Sequence, residues 1–69
     1  MEKLQLRDEF IKLGQALKAA GLCDSGVDAK FAIQEGHVKV NGETELRRGK
    51  KLYDGDMVEY RGKIIQITA

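Results

Sequence analysis

The chain has 69 residues and a net charge of +1, and 33% of its residues are charged. A chain of this length forms one domain with a small core, and its nearly neutral charge alone gives no argument for a nucleic-acid ligand. One cysteine and one histidine are too few for an internal disulfide or a four-ligand zinc site, and a lone thiol favours a reducing, cytoplasmic setting. No apolar run approaches the roughly 18 residues that a membrane span needs, so no membrane partner is expected.

A short strand and a helix are predicted in the first third of the chain. Residues 3–6 alternate with period two, which favours a strand. Leu13 and Leu17 have helical spacing, and Gly21 ends the predicted helix. Phe10 fits the same helical face, so an earlier start of this helix stays open.

A second helix is predicted to begin at Ser25. Ser25 precedes Asp28 by three residues, which resembles a capping box with Asp in the place of Glu or Gln. The predicted apolar side of this helix consists of Val27, Ala29, Ala32 and Ile33. Gly36 stands where a left-handed residue ends a helix.

From His37 onward the apolar period changes to two. Val38 and Val40 are predicted on one side of a strand and Lys39 on the other. Asn41-Gly42 favours a type I′ hairpin turn, because both residues tolerate a positive φ. Further strands are predicted over residues 51–53, 57–60 and 63–68. The pattern predicts an α+β fold in which two short helices pack on a small, mainly antiparallel sheet of four to five strands.

The segment from Leu22 to Gly42 carries the most specific pattern in the chain. Together with the preceding glycine, its characteristic positions are Gly21, Leu22, Ser25, Ala29, Lys30, Ile33, Gly36, Val38, Val40, Asn41 and Gly42. These positions resemble the αL RNA-binding motif of the domain named for small-subunit ribosomal protein S-four. Many members of this family have an arginine directly after the serine, where this chain has Gly26, and this departure bears on affinity and on the choice of RNA.

A second set of positions resembles a small stand-alone bacterial subfamily, the YaaA/YbcJ-like proteins. These positions are Leu13-Gly14-Gln15, Ser25-Gly26 and the run from Arg47 to Tyr53. The resemblance implies a single RNA-binding domain over residues 1–69, with a motif core at about residues 13–60. It also implies non-catalytic binding of structured RNA, either ribosomal RNA or a stem-loop, with the ribosome as an expected partner.

The charge distribution supports this expectation independently of the resemblance. Residues 46–53 contain four basic and no acidic residues, a local charge of +4. Lys30 and Lys39 share this basic surface if the second helix and the hairpin pack together. The predicted RNA contacts are Lys30, Lys39, Arg47, Arg48, Lys50 and Lys51, with Tyr53 as a stacking residue and with Lys12, Lys18 and His37 as weaker candidates.

Two other functions stay open on the sequence alone. The basic run is also typical of a solvated loop, or of an adaptor that docks an acidic protein partner. An enzyme centred on Cys23 and His37 is disfavoured, because no convincing nucleophile–base pair can be assembled. We therefore expect a monomeric, non-enzymatic domain without a cofactor or small-molecule substrate, in which Cys23 is partly buried and Phe31 and Tyr60 lie at the core or its edge.

Overall fold

The computed structural model describes residues 2–69, and strands near both ends of this range meet in one sheet. The elements are β1 (Glu2–Gln5), β2 (Ile11–Lys12), α1 (Leu13–Ala19), α2 (Gly26–Gln34), β3 (Val38–Val40), β4 (Glu43–Thr44), β5 (Lys51–Leu52), β6 (Met57–Tyr60) and β7 (Lys63–Thr68). The five-stranded sheet has the order β1-β7-β6-β3-β4, in which only the β1–β7 pair is parallel. Strands β2 and β5 form a separate antiparallel ribbon. The predicted α+β class, with two helices on a mainly antiparallel sheet, is confirmed.

The boundaries of both helices follow from local chemistry. The Oγ of Ser25 accepts a hydrogen bond from the backbone N–H of Asp28 at 3.2 Å, which confirms the predicted N-cap of α2. Gly36 follows the end of α2 with a φ of 79°. Helix α1 begins at Leu13 rather than at Phe10, because residues 11 and 12 belong to β2.

Two hairpins are closed by two-residue turns with positive φ. Asn41 and Gly42 have φ angles of 52° and 85° and connect β3 to β4. Arg61 and Gly62 have φ angles of 51° and 77° and connect β6 to β7. Positive φ at both central residues is what a type I′ turn requires, and its twist matches that of the flanking strands.

The core lies between the helices and one face of the five-stranded sheet. Its buried residues are Leu13, Ala16, Leu17, Cys23, Ala29, Ala32, Ile33, Val38, Val40, Leu52, Val58, Tyr60, Ile65 and Ile67. The predicted burial of Cys23 and Tyr60 is confirmed. The side chains of β3 alternate as predicted, with Val38 and Val40 buried and Lys39 exposed.

Two apolar residues of α2 are more exposed than predicted, since Val27 was expected on the apolar side of the helix and Phe31 at the core or its edge. Val27 is 61% exposed and Phe31 is 53% exposed. The buried stripe of this helix consists of Ala29, Ala32 and Ile33. Because each residue turns a helix by about 100°, Val27 and Phe31 lie about 200° from Ala29, on the far side of the helix. Neither helix within the described residues 2–69 is long and apolar enough to cross a membrane.

Candidate nucleic-acid interface

The loop between β4 and β5 packs against the start of α1. The N–H of Leu13 donates to the carbonyl of Lys50 at 2.8 Å, and the N–H of Gly14 donates to the carbonyl of Arg48 at 3.0 Å. The first N–H groups of a helix have no partner within the helix, so the loop satisfies two of them. A Cβ atom at Gly14 would lie 3.6 Å from the Cβ and the carbonyl oxygen of Arg48, which shows how closely the loop approaches the helix. We call this loop, residues 45–50, the basic loop. Its contacts hold it in a defined position beside α1.

Three cationic side chains surround a groove between α1 and this loop. The groove has a volume of about 380 Å³, and its cationic walls are formed by Lys12, Lys18 and Arg48. Its other lining residues are Gln15 and the glycines Gly14, Gly26 and Gly49. Because the glycines have no side chains, the backbone between the cations stays accessible to a ligand.

A second concavity adjoins this groove at Gly49, which lines both. It has a volume of about 540 Å³ and is lined by Arg47, Lys50, Lys51 and Tyr53 as well. We call the combined surface the basic face. Its members are Lys12, Lys18, Arg47, Arg48, Lys50, Lys51 and Tyr53. The structure thus brings together seven of the ten residues that were predicted to contact RNA.

Glu45 partly neutralises this surface. Its Oε2 accepts hydrogen bonds from the Nε of Arg47 at 3.0 Å and from the backbone N–H of Arg47 at 3.1 Å. The hydrogen bond from the guanidinium lowers the pKa of Glu45, and the same contact raises the pKa of Arg47. Over residues 2–69, no other cation of the basic face forms an ion pair with a carboxylate. The local charge of +4 that the sequence suggests is therefore reduced at Arg47.

Lys30 lies at the margin of the basic face. It is half-buried on α2, one helical turn after Gly26, which lines the groove. Residues four apart on a helix are neighbours on its surface, so Lys30, the single cation of α2, lies close to the groove without lining it.

Lys39 lies on a different surface. Its Cα partners are Thr44 on β4 and Glu59 on β6. Its side chain lies on the sheet face opposite the buried side chains of β3, whereas α2 packs on the buried side. The expectation that Lys30 and Lys39 share one surface is therefore wrong.

His37 also lies apart from the basic face. Its Nε2 is 3.4 Å from the Oε2 of Glu35. Both residues line a groove of about 320 Å³, in which the carboxylates of Glu35, Asp24 and Asp28 outnumber one guanidinium, that of Arg61. Carboxylates repel phosphate, so this placement gives no support to His37 as an RNA contact.

Sequence reasoning did not select Phe10, which lies next to the basic face. The Nζ of Lys51 is 4.8 Å from the centroid of its ring, within the range of a cation–π contact. The one pattern that could have identified Phe10 is the strand alternation through β2 and the residue before it, Phe10-Ile11-Lys12. That alternation is too short to be distinguished from the start of the following helix.

The residues of the alternative enzymatic hypothesis do not form an activated pair. Cys23 is 6% exposed, and its burial raises the pKa of the thiol. A thiol with a raised pKa is less ionised at neutral pH and is a weaker nucleophile. Among residues 2–69, no group of three or more His, Cys, Asp and Glu side chains is placed to hold a metal ion.

A sequence profile of the S4 domain matches residues 4–68, and the chain belongs to this family. Among its relatives is the "Probable ribosome maturation protein RlbA" of Bacillus subtilis, which is 48% identical over 59 residues and is matched over 86% of this chain and 83% of its own length. YbcJ of Escherichia coli is 41% identical over 59 residues, which cover 86% of this chain and 84% of YbcJ.

The fold agrees with these matches. The solution structure of Escherichia coli YbcJ superposes with a TM-score of 0.77 at 37% identity, and the match covers 100% of this chain and 89% of that one. That structure has an αL motif involved in RNA binding. The resemblance found in the sequence is thereby confirmed.

Proposed function

We propose that the chain is a non-catalytic module that binds structured RNA, ribosomal RNA or a stem-loop, through the basic face. The observation that carries the proposal is the convergence of six cationic side chains and Tyr53 on one surface of a chain whose net charge is only +1. The αL motif of YbcJ supports RNA as the ligand, and the similarity to the probable ribosome maturation protein RlbA supports a role at the ribosome.

The segregation of charge supports one defined orientation toward RNA. The acidic groove around Asp24, Asp28 and Glu35 is a separate surface that contains none of the residues of the basic face. A polyanion is attracted to one surface and repelled by the other, so it is steered toward the basic side before contact.

We further propose that the chain acts as a single, non-enzymatic unit. Residues 1–69 act as one monomeric module in the cytoplasm, with the αL core at about residues 13–60. Binding requires no cofactor or small-molecule substrate, and the chain is not an enzyme. The burial of Cys23, which raises the pKa of its thiol, and the membership of the S4 domain family support this part of the proposal.

A salt series tests the proposed binding. Affinities for ribosomal RNA fragments that contain a stem-loop are measured by fluorescence anisotropy at several salt concentrations. Four to six phosphate contacts predict a slope of log affinity against log salt of about −3 to −5. A flat response, or no binding at low salt, contradicts the proposal. The alternative is an adaptor that docks an acidic protein. It is favoured if a pull-down recovers a protein partner that stays bound after nuclease treatment.

The substitution Glu45→Gln is expected to strengthen RNA binding. It removes the carboxylate that pairs with Arg47 at 3.0 Å and makes the guanidinium available to phosphate. One further phosphate contact steepens the slope by about 0.7 to 0.9 and raises affinity roughly 5- to 8-fold at about 0.1 M salt. Anisotropy with the same RNA fragments measures the change.

Glu59→Gln is the matched control for this substitution. It removes the same charge from β6, where Glu59 faces Lys39 across the strand pair. An equal gain in both variants would show that total charge, and not the release of Arg47, controls affinity.

A further inference from the structure

The ribbon of β2 and β5 has one apolar face and one face of aromatic and basic residues. Ile11 pairs with Leu52, which is fully buried, and Lys12 pairs with Lys51. The same register continued by one residue places Phe10 opposite Tyr53. Alternate residues of a strand point to opposite sides, so two aromatic rings and two lysines share the outer face of the ribbon. This arrangement places aromatic surface directly beside cations.

Contacts between these side chains hold the aromatic rings in place. The ring centroids of Phe10 and Tyr53 are 6.0 Å apart with an interplanar angle of 50°, a tilted geometry that aromatic pairs favour. The Nζ of Lys51 lies 4.8 Å from the Phe10 centroid. Phe10 is half-buried, whereas Tyr53 is 44% exposed, so Phe10 supports a tyrosine ring that stays accessible to a ligand.

The backbone of Tyr53 is also fixed. Its N–H donates to the Oδ2 of Asp56 at 2.8 Å, and the N–H of Asp56 donates to the carbonyl of Tyr53 at 3.0 Å. The Oδ1 of Asp56 accepts a hydrogen bond from the Nδ2 of Asn41 at 3.1 Å, which connects this turn to the β3–β4 hairpin. A ring that is already ordered loses less conformational freedom when it binds a ligand.

From this geometry we infer that Tyr53, supported by Phe10, stacks on an unpaired nucleobase while Lys50 and Lys51 contact the phosphates beside it. The inference rests on the proposed function and specifies its ligand: an RNA stem with an unpaired nucleotide next to it, rather than an uninterrupted duplex. The bases of a duplex are stacked on one another, whereas an unpaired base has a free face for an aromatic side chain. Tyr53 lines the same concavity as Lys50 and Lys51, so base and phosphate are bound at one place.

A pair of RNA probes separates the contribution of the bases to binding affinity from the contribution of the phosphates. Both probes have the same duplex and a single-stranded extension, and in one of them the nucleotides of the extension are abasic. The phosphates are identical, so only the stacking surface differs. Wild-type protein is expected to bind the probe that carries bases roughly 5- to 100-fold more tightly.

Variants assign this preference to the aromatic residues. Tyr53→Ala is expected to abolish the preference for bases, and Tyr53→Phe is expected to keep it because the ring remains. Phe10→Ala is expected to reduce it. The matched control is Phe31→Ala, since Phe31 is a 53% exposed aromatic residue on α2 that lines the acidic groove, and its loss is expected to change nothing.

The outcomes distinguish this inference from the proposed function. Equal binding of both probes, or a preference that survives in Tyr53→Ala, overturns the stacking site. If equal binding is accompanied by a steep salt dependence, RNA binding by the basic face still stands. If neither probe binds at low salt, the proposed function fails and the stacking site fails with it.

Discussion

The triple variant Lys12→Ala, Lys18→Ala and Arg48→Ala is expected to bind structured RNA about 100-fold or more weakly than the wild type at about 0.1 M salt. These three residues are the cations of the groove between α1 and the basic loop. Each lost phosphate contact lowers the salt slope by about 0.7 to 0.9, and each unit of slope corresponds to roughly tenfold in affinity between 1 M and 0.1 M salt. Anisotropy across a salt series measures both quantities in one experiment, and the slope is expected to fall by about 2 to 3.

The control for this variant is Lys3→Ala, Lys39→Ala and Lys63→Ala. It changes the net charge by the same amount, and none of its residues lines the groove or the adjoining concavity. We expect its affinity to stay close to that of the wild type. A loss of roughly sevenfold in the control would correspond to one phosphate contact by one of these three lysines, and the single variant Lys39→Ala would show whether Lys39 makes it. A loss as large as that of the groove variant would show that RNA responds to total charge alone.

The substitution Leu52→Ala is expected to lower the free energy of unfolding by about 2 to 5 kcal/mol. Leu52 is fully buried and attaches the β2–β5 ribbon to the core. A domain of 69 residues has a total stability of roughly 3 to 10 kcal/mol, so the loss is a large part of the whole. Urea unfolding followed by circular dichroism measures the change.

Leu46→Ala is the matched control, because it removes the same atoms from a residue that is 58% exposed. Its effect is expected to stay within about 0.5 kcal/mol. If the two substitutions cost the same, the ribbon does not pack on the core as described.

The elements that depend on local chemistry could be predicted from the sequence. The pairs Asn41-Gly42 and Arg61-Gly62 fix two hairpin turns, because their backbone adopts positive φ and the flanking residues alternate. Ser25 specifies the start of α2 in the same local way. The parallel β1–β7 pair could not be predicted, because it joins Glu2–Gln5 to the distant Lys63–Thr68 and no local signal encodes that register.

The sequence predicted which residues belong to the candidate site better than it predicted their positions in the fold. Charge identified the loop from Arg47 to Lys51, but the position of that loop beside α1 depends on backbone hydrogen bonds that no sequence pattern reveals. Alternation correctly placed Lys39 on the strand face opposite Val38 and Val40. The helices cover the apolar face, so the shared surface of Lys30 and Lys39 was wrongly predicted even though α2 and β3 pack together. Phe10 was missed because β2 and β5 have two residues each, too few to show a period.

The main-chain attachment of the basic loop has a consequence for how this family diversifies. The two bonds from Leu13 and Gly14 end on carbonyl oxygens, which every amino acid possesses. Side chains at positions 47, 48, 50 and 51 can therefore be exchanged during evolution without breaking these two bonds. If the proposed function holds, recognition and architecture are encoded by different atoms of the same residues, so the ligand could change while the scaffold stays the same.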